Sequence, residues 1–222
     1  MATAPSSVSS ALPSGGVDYS VVFQNNSTNA WNACVYQTDP DRANFQVQSL
    51  AWFTKAAAPT TQVKFEWAIE YSLVWDETGI LKPGVIFDAS QLWPADLSTK
   101  NAVTLTHETT GQSSYYTFEN QEAGPNQGSL YITTDNTVPL NMASVGIGMS
   151  NAGTFAVQAQ PNLNLIFTPH PTYWITFGNY VQGEVLDETE ITNVAQIAFP
   201  PGIYTMYATL NQDNTWTIGT SA

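Results

Sequence analysis

The sequence is poor in cysteine and in charge. One cysteine, Cys34, stands among 222 residues, so the chain cannot form an internal disulfide, which fits a reducing compartment. Charged residues make up 10% of the chain, against about 25% in ordinary globular domains. Amides and hydroxyls take their place. Such a surface repels its own copies weakly, which favours self-association or the binding of neutral sugars.

Basic residues are scarcer still, with 5 against 18 acidic ones and a net charge of −13. Phosphate backbones and anionic lipids would be repelled, so we expect no nucleic-acid or membrane partner. No window approaches the ~18 apolar residues of a membrane span, and the first residues lack the features of a signal peptide. The expectation is a cytoplasmic protein without a cofactor, with export by a non-classical route as an alternative.

The chain divides by composition into a short head and a long domain. Residues 1–18 are rich in Ser, Ala, Pro and Gly without periodicity, which is typical of a flexible low-complexity tail. Residues 19–222 form one predicted domain, in which 19–24 and 31–37 are successive strands joined by the loop "NNSTNA". One segment, 191–199, could form one or two helical turns.

An alternation of period two sets the fold class. Every odd position from residue 63 to 75 is apolar: Val63, Phe65, Trp67, Ile69, Tyr71, Leu73 and Trp75. A strand places such residues on one face, although thirteen residues exceed the usual ~5–6, so a bend near Ala68 is expected. The apolar face must pack on a second sheet. We therefore predict an all-β fold, a single antiparallel β-sandwich of jelly-roll or Greek-key type.

No pattern identifies a catalytic residue or a strong metal site. Glu66 and Glu70 lie on one strand roughly 13 Å apart, beyond the ~5–9.5 Å of glycosidase acid pairs. Three acidic residues are weak calcium candidates: Glu184, Asp187 and Glu188. They lack the regular spacing of ligands in an EF-hand loop, so the preferred interpretation is an acidic connection exposed to solvent. Cys34 has no basic neighbour and is interpreted as a buried, inert thiol.

Tryptophan offers the clearest candidate for ligand binding. Seven of them occur in the chain, and two, Trp67 and Trp75, fit the predicted core face. Four others could line a sugar-stacking platform: Trp52, Trp93, Trp174 and Trp216. The alternative is that they too are core residues, as most tryptophans in sandwiches are.

Three segments carry a resemblance to a known family: "NNSTNAWNACVYQTDPD", "SLAWFTKAA" and "TQVKFEWAIEYSLVWDETG". They resemble the RhiA family, rhizosphere-expressed proteins of rhizobia under quorum-sensing control, and the similar stretch runs from about residue 20 to 95. The resemblance implies an abundant soluble protein in a microbial community or a host-associated setting. It supplies no catalytic residue and does not extend to the head.

The leading functional hypothesis is a non-enzymatic β-sandwich that acts by binding or by self-assembly into a homo-oligomer. The tail, residues 1–18, could add as a strand to a neighbouring copy. The first alternative is a cytoplasmic, lectin-like protein that binds neutral glycans. The second is a glycoside-active hydrolase that uses Glu66 or Glu70.

Overall fold

The protein is built from β-strands. The computed structural model describes residues 17–39 and 47–221, and these ranges contain seventeen strands and no helix. The strands are β1 (Asp18–Asn25), β2 (Trp31–Thr38), β3 (Gln48–Ser49), β4 (Phe53–Ala57), β5 (Gln62–Ala68), β6 (Tyr71–Asp76), β7 (Gln91–Ala95), β8 (Ala102–Thr110), β9 (Ser113–Glu122), β10 (Leu130–Thr134), β11 (Ser144–Met149), β12 (Ala152–Gln158), β13 (Asn164–Phe167), β14 (Thr172–Gly178), β15 (Val194–Ile197), β16 (Thr205–Leu210) and β17 (Trp216–Gly219). The prediction of an all-β fold is confirmed.

Two four-stranded sheets made from both ends of the chain form a first sandwich. Sheet I has the order β17-β16-β1-β5 and sheet II the order β15-β14-β2-β4. Their facing side chains form one core, which includes Phe23, Val35, Phe65 and Ile175. The ladder between β1 and β16 is parallel, while the others in these two sheets are antiparallel.

The middle of the chain forms a second sandwich. Sheet III has the order β3-β12-β11-β6-β7, and sheet IV the order β13-β10-β8-β9 with a parallel ladder between β8 and β10. Leu73, Leu105, Ile132 and Val145 lie in the core between them. The structure therefore adds detail to the predicted sandwich: four sheets enclose two main cores, and two ladders are parallel.

The alternating segment from residue 63 to 75 links the two sandwiches. The expected bend is present, because β5 ends at Ala68 in sheet I and β6 begins at Tyr71 in sheet III. The prediction that all seven apolar side chains share one buried face is wrong, since Ile69 is 46% exposed. Where a chain changes sheets its alternation restarts, so Trp67 joins the first core and Trp75 the second.

The loop "NNSTNA" also connects two sheets, because β1 lies in sheet I and β2 in sheet II. Both predicted strands are present. Asn25 is fully buried at the start of the loop, and its Nδ2 donates to the carbonyls of Asn29 and Ala57. Its Oδ1 accepts hydrogen bonds from the amide and the hydroxyl of Ser27. One buried amide thus organises the loop and ties it to β4.

Two further expectations concern the ends of the domain. The suggested helical turns in 191–199 are absent, because that segment contains β15, which pairs with β14. Residues 1–16 of the predicted tail and residues 40–46 lie outside the described residues. β1 begins at Asp18, so the last residue assigned to the tail belongs to a strand.

Candidate functional site

Trp52 cannot form part of a surface platform, because its side chain is 0% exposed. Its indole nitrogen donates to the carbonyl of Met149 at 2.9 Å. Its ring lies 5.2 Å from that of Trp67 and 6.1 Å from that of Tyr173. The segment "SLAW" crosses between the two sandwiches, and this position buries the ring. The proposal of sugar stacking on Trp52 is corrected accordingly.

The other three candidate tryptophans are half-buried and lie in different sheets. Trp93 packs on the second core, with its ring 5.9 Å from Phe118. Trp174 packs against the small cluster of Cys34, Tyr36, Ala51 and Leu186 on sheet II, while Trp216 in β17 packs on the first core. The structure does not bring these rings together into one platform. Trp31, which the sequence did not single out, is the most exposed tryptophan at 49%.

The side chains of the three calcium candidates accept hydrogen bonds from their own loop or from β3. Glu184 accepts a hydrogen bond from the amide of Val181, and Glu188 accepts one from the hydroxyl of Ser49. The hydroxyl and amide of Thr189 donate to Asp187 and lower the pKa of that carboxyl. Within 17–39 and 47–221, no three His, Cys, Asp or Glu residues are grouped as a metal would require.

Of the groups considered for catalysis, Glu66 is held in a structural contact and Cys34 is buried, while Glu70 is exposed in the link between β5 and β6 and, contrary to the prediction, does not share a strand with Glu66. Glu66 forms an ion pair with Lys64 on the exposed face of β5. Cys34 is fully buried, and burial, followed by the charge of Glu184, raises the pKa of its thiol well above the usual range. A thiol in this state is a poor nucleophile.

An aromatic pocket opens at one end of the first sandwich, with a volume of about 390 Å³. It lies where β1 begins, where β14 begins and where β15 ends, beside the link between β5 and β6. Its lining residues are Tyr19, Ile69, Pro171, Thr172, Tyr173, Gln196, Ile197, Ala198 and Phe199. The volume falls within the roughly 300–1,000 Å³ of small-molecule sites.

Three aromatic rings shape this pocket. The ring of Phe199 meets that of Tyr19 edge to face at 5.0 Å and that of Tyr173 at 5.8 Å. Trp67 lies behind them, 5.0 Å from Tyr173 and 5.8 Å from Phe199. Edge-to-face packing of this kind fixes ring orientations, so the pocket presents rigid aromatic surface.

The pocket carries no charged side chain among its lining residues, and its polar groups come from Thr172, Gln196 and the two tyrosines. The hydroxyl of Tyr173 and the indole nitrogen of Trp67 are buried and make no hydrogen bond of good geometry to a described residue, but the indole lies close enough to the phenol oxygen to lower its pKa. Burial has the larger effect and raises the pKa of Tyr173 to about 12, so this phenol is neutral and can donate. Of the two residues only Tyr173 lines the pocket, so its hydroxyl is the buried donor nearest to a ligand bound there.

Sequence reasoning missed this pocket because its members are far apart in the chain. Tyr19 and Tyr173 were visible only as strand aromatics, and Phe199 as part of a possible helical segment. The parallel pairing of β1 with β16 and the pairing of β14 with β15 bring them together. Ile69, at the sheet crossing, gave no local signal, because it keeps the alternation of its segment and only the structure shows that it is exposed.

Comparison with known proteins assigns the chain to a family. The family model described as RhiA matches residues 16–221. The chain belongs to the RhiA family. Protein RhiA of Rhizobium leguminosarum bv. viciae is 38% identical over 213 residues, which cover 94% of this chain and 89% of that protein. No solved structure matches the chain significantly. The described residues contain no helix that is long and apolar enough to cross a membrane.

Proposed function

We propose that this RhiA-family protein acts without catalysis, by binding a neutral small molecule in the aromatic pocket. The observation that carries the proposal is the combination of an uncharged aromatic lining with the buried hydroxyl of Tyr173, a donor for which the described residues supply no acceptor. Concave pockets that combine apolar and aromatic walls with a few convergent polar groups are the usual form of ligand sites.

The chemistry of the lining selects the class of ligand. An anion or a cation would enter without a counter-charge, which is costly in a partly desolvated site. A neutral ring, from a saccharide or an aromatic compound, can lie against Phe199 and Tyr19 while its oxygens contact Thr172 and Gln196. The lectin-like alternative is thereby moved from the tryptophans to this pocket.

Intrinsic tryptophan emission provides the assay, because Trp67 lies next to the pocket. Neutral phenyl glycosides are titrated into the wild type, into Phe199→Ala and into Tyr115→Ala, whose ring is 48% exposed on β9. We expect the emission of the wild type to change on binding. The affinity for the glycoside should be about tenfold lower in Phe199→Ala, since an aromatic contact contributes ~1 kcal/mol beyond its buried area. The Tyr115→Ala control should bind as the wild type does. Equal affinity in all three proteins would reject the pocket.

Self-assembly is a second candidate, and strand β9 supports it. β9 pairs with β8 alone among the described strands, and its first half, 113–117, offers an open edge to a strand from another copy. The amide of Phe118 is capped by the side chain of Gln91, so the open edge is confined to that half. Light scattering on size-exclusion fractions tests the idea with Ser114→Pro, which removes an exposed backbone donor that faces away from β8, and with a deletion of residues 1–16. Unchanged monomers in wild type and variants would contradict it.

The setting of this binding activity is part of the same proposal. The one cysteine is buried and unpaired, which suits a reducing compartment, and we place the protein in the cytoplasm of a microbe that lives in a community or on a host. Cell fractionation with an antibody distinguishes this location from non-classical export.

A further inference from the structure

A second cavity lies on the other side of Trp52, where the two sandwiches meet. This junction recess has a volume of about 380 Å³ and is lined by Trp52, Ile86, Phe87, Asp88, Ala89, Leu92, Asn151, Ala152, Gly153, Gln182 and Gly183. None of these residues lines the aromatic pocket. The recess therefore needs its own explanation.

Its base is apolar and its rim is polar. Trp52, Phe87 and Ala152 are buried beneath it. Asp88, Asn151 and Gln182 come from three different loops and are exposed. No hydrogen bond joins the carboxylate of Asp88 or either amide side chain to another described residue. Three free polar groups thus surround an apolar floor.

The loops that carry these groups are fixed by backbone contacts. The amide of Phe87 donates to the carbonyl of Gly183, and the amide of Gly183 donates to Ala51. Gly183 has a φ of 82°, and a Cβ there would lie 2.4 Å from the carbonyl oxygen of Phe87. The two loops therefore approach closely only because this residue is glycine.

The other two walls are equally defined. Ser150 and Asn151, with φ of 53° and 62°, form the two-residue turn between β11 and β12, and such turns follow the twist of a hairpin. The buried carboxylate of Asp76 accepts a hydrogen bond from the amide of Asp88 at 3.2 Å. Asp76 is thus a positioning residue for the loop that carries Asp88.

We propose that the junction recess binds a saccharide. A sugar hydroxyl both donates and accepts, and so do the amides of Asn151 and Gln182, while the carboxylate of Asp88 accepts from hydroxyl pairs. The C–H face of a pyranose ring matches the apolar floor. An ammonium ligand would use the carboxylate but leave both amide NH₂ groups unpaired, so the donor set favours the neutral polyol.

Saturation-transfer NMR with methyl glucoside, methyl galactoside, methyl mannoside and maltose tests the proposal. We expect transfer to at least one of these sugars in the wild type, and an affinity about tenfold weaker in Asp88→Ala, because a hydrogen bond to a charged group is among the stronger contacts. Gln182→Ala, which changes an exposed side chain, should weaken binding in the same direction. Glu119→Gln, an exposed acid on β9, is the matched control and should bind as the wild type does.

The outcomes separate this site from the aromatic pocket. Phe199→Ala should bind these sugars as the wild type does. If Phe199→Ala lost sugar binding and Asp88→Ala retained it, the proposal would be overturned. Absence of transfer to all four sugars would do the same. So would binding of n-butylammonium that depends on Asp88 in place of sugar binding.

Discussion

Replacing Asn25 by alanine should destabilise the protein far more than the same change at Asn26. The side chain of Asn25 is fully buried and takes part in four hydrogen bonds. Asn26 is exposed, and its side chain accepts one hydrogen bond, from Gln24. The two positions are adjacent and carry the same residue, so they form a matched pair.

The expected magnitude follows from the partners that Asn25→Ala leaves behind. The carbonyl of Ala57 and the amide and hydroxyl of Ser27 lose a buried partner, at roughly 1–3 kcal/mol each. The carbonyl of Asn29 is partly buried and can bind water. We expect a loss of about 3–5 kcal/mol in the free energy of unfolding, which is a large share of the ~5–15 kcal/mol of a typical domain. At ~2–4 °C per kcal/mol the melting temperature falls by roughly 10 °C.

Urea denaturation followed by tryptophan emission measures this difference. Asn26→Ala should stay within ~0.5 kcal/mol of the wild type, as surface substitutions do. Asn25→Asp keeps the acceptor oxygen but loses both donations and buries a charge, so it should be at least as unstable as Asn25→Ala. The reasoning is refuted if Asn25→Ala and Asn26→Ala unfold at the same urea concentration.

Three further predictions concern packing and ionisation. Gly146→Ala should cost about 3 kcal/mol in urea denaturation, because its Cβ would lie 1.9 Å from the carbonyl oxygen of Phe155. Gly219→Ala, which meets only ordinary contacts, should be near neutral, and equal effects would disprove the steric argument. Burial also raises the pKa of Tyr71 and Tyr116, and absorbance titration of the phenols should lose its latest step in Tyr173→Phe. Because the folded pKa of Tyr173 is raised to about 12, its contribution to stability is complete below the unfolded pKa of ~10 and is lost as pH rises through 12. Iodoacetamide at pH 8 should leave Cys34 unmodified in the native protein and alkylate it in denaturant, since burial raises the pKa of the thiol; fast native labelling would contradict its burial.

The sequence predicted strands well because alternation is a local property. Burial of Phe65 and Leu73 follows from period two and the need of an apolar face for an opposing sheet. The exposure of Ile69 does not, since it depends on the chain leaving one sheet for another. The periodicity of apolar residues does not predict where a chain crosses from one sheet to another.

The candidate sites could not be predicted from local sequence patterns either, because each is formed by residues that are far apart in the sequence. The aromatic pocket needs Tyr19 beside Phe199, 180 positions later in the sequence. The junction recess needs the turn at Asn151 beside the loop at Gln182. Trp52, singled out for its aromatic ring, separates the two cavities and is closed off from solvent by both sandwiches. The sequence shows which side chains could bind a ligand, but the order of the strands in the sheets decides which of them come together.

The discontinuity of the first sandwich has a consequence for synthesis. In sheet I, β1 lies between β5 and β16. β5 follows β1 closely in the sequence, whereas β16 is far away: Ser20 in β1 pairs with Thr205 in β16. Sheets III and IV are complete by Phe167. During synthesis on a ribosome the second sandwich can therefore fold before the first. Until β16 emerges, β1 is paired on one side only, with β5. That waiting edge is where a truncated product should aggregate or recruit a chaperone.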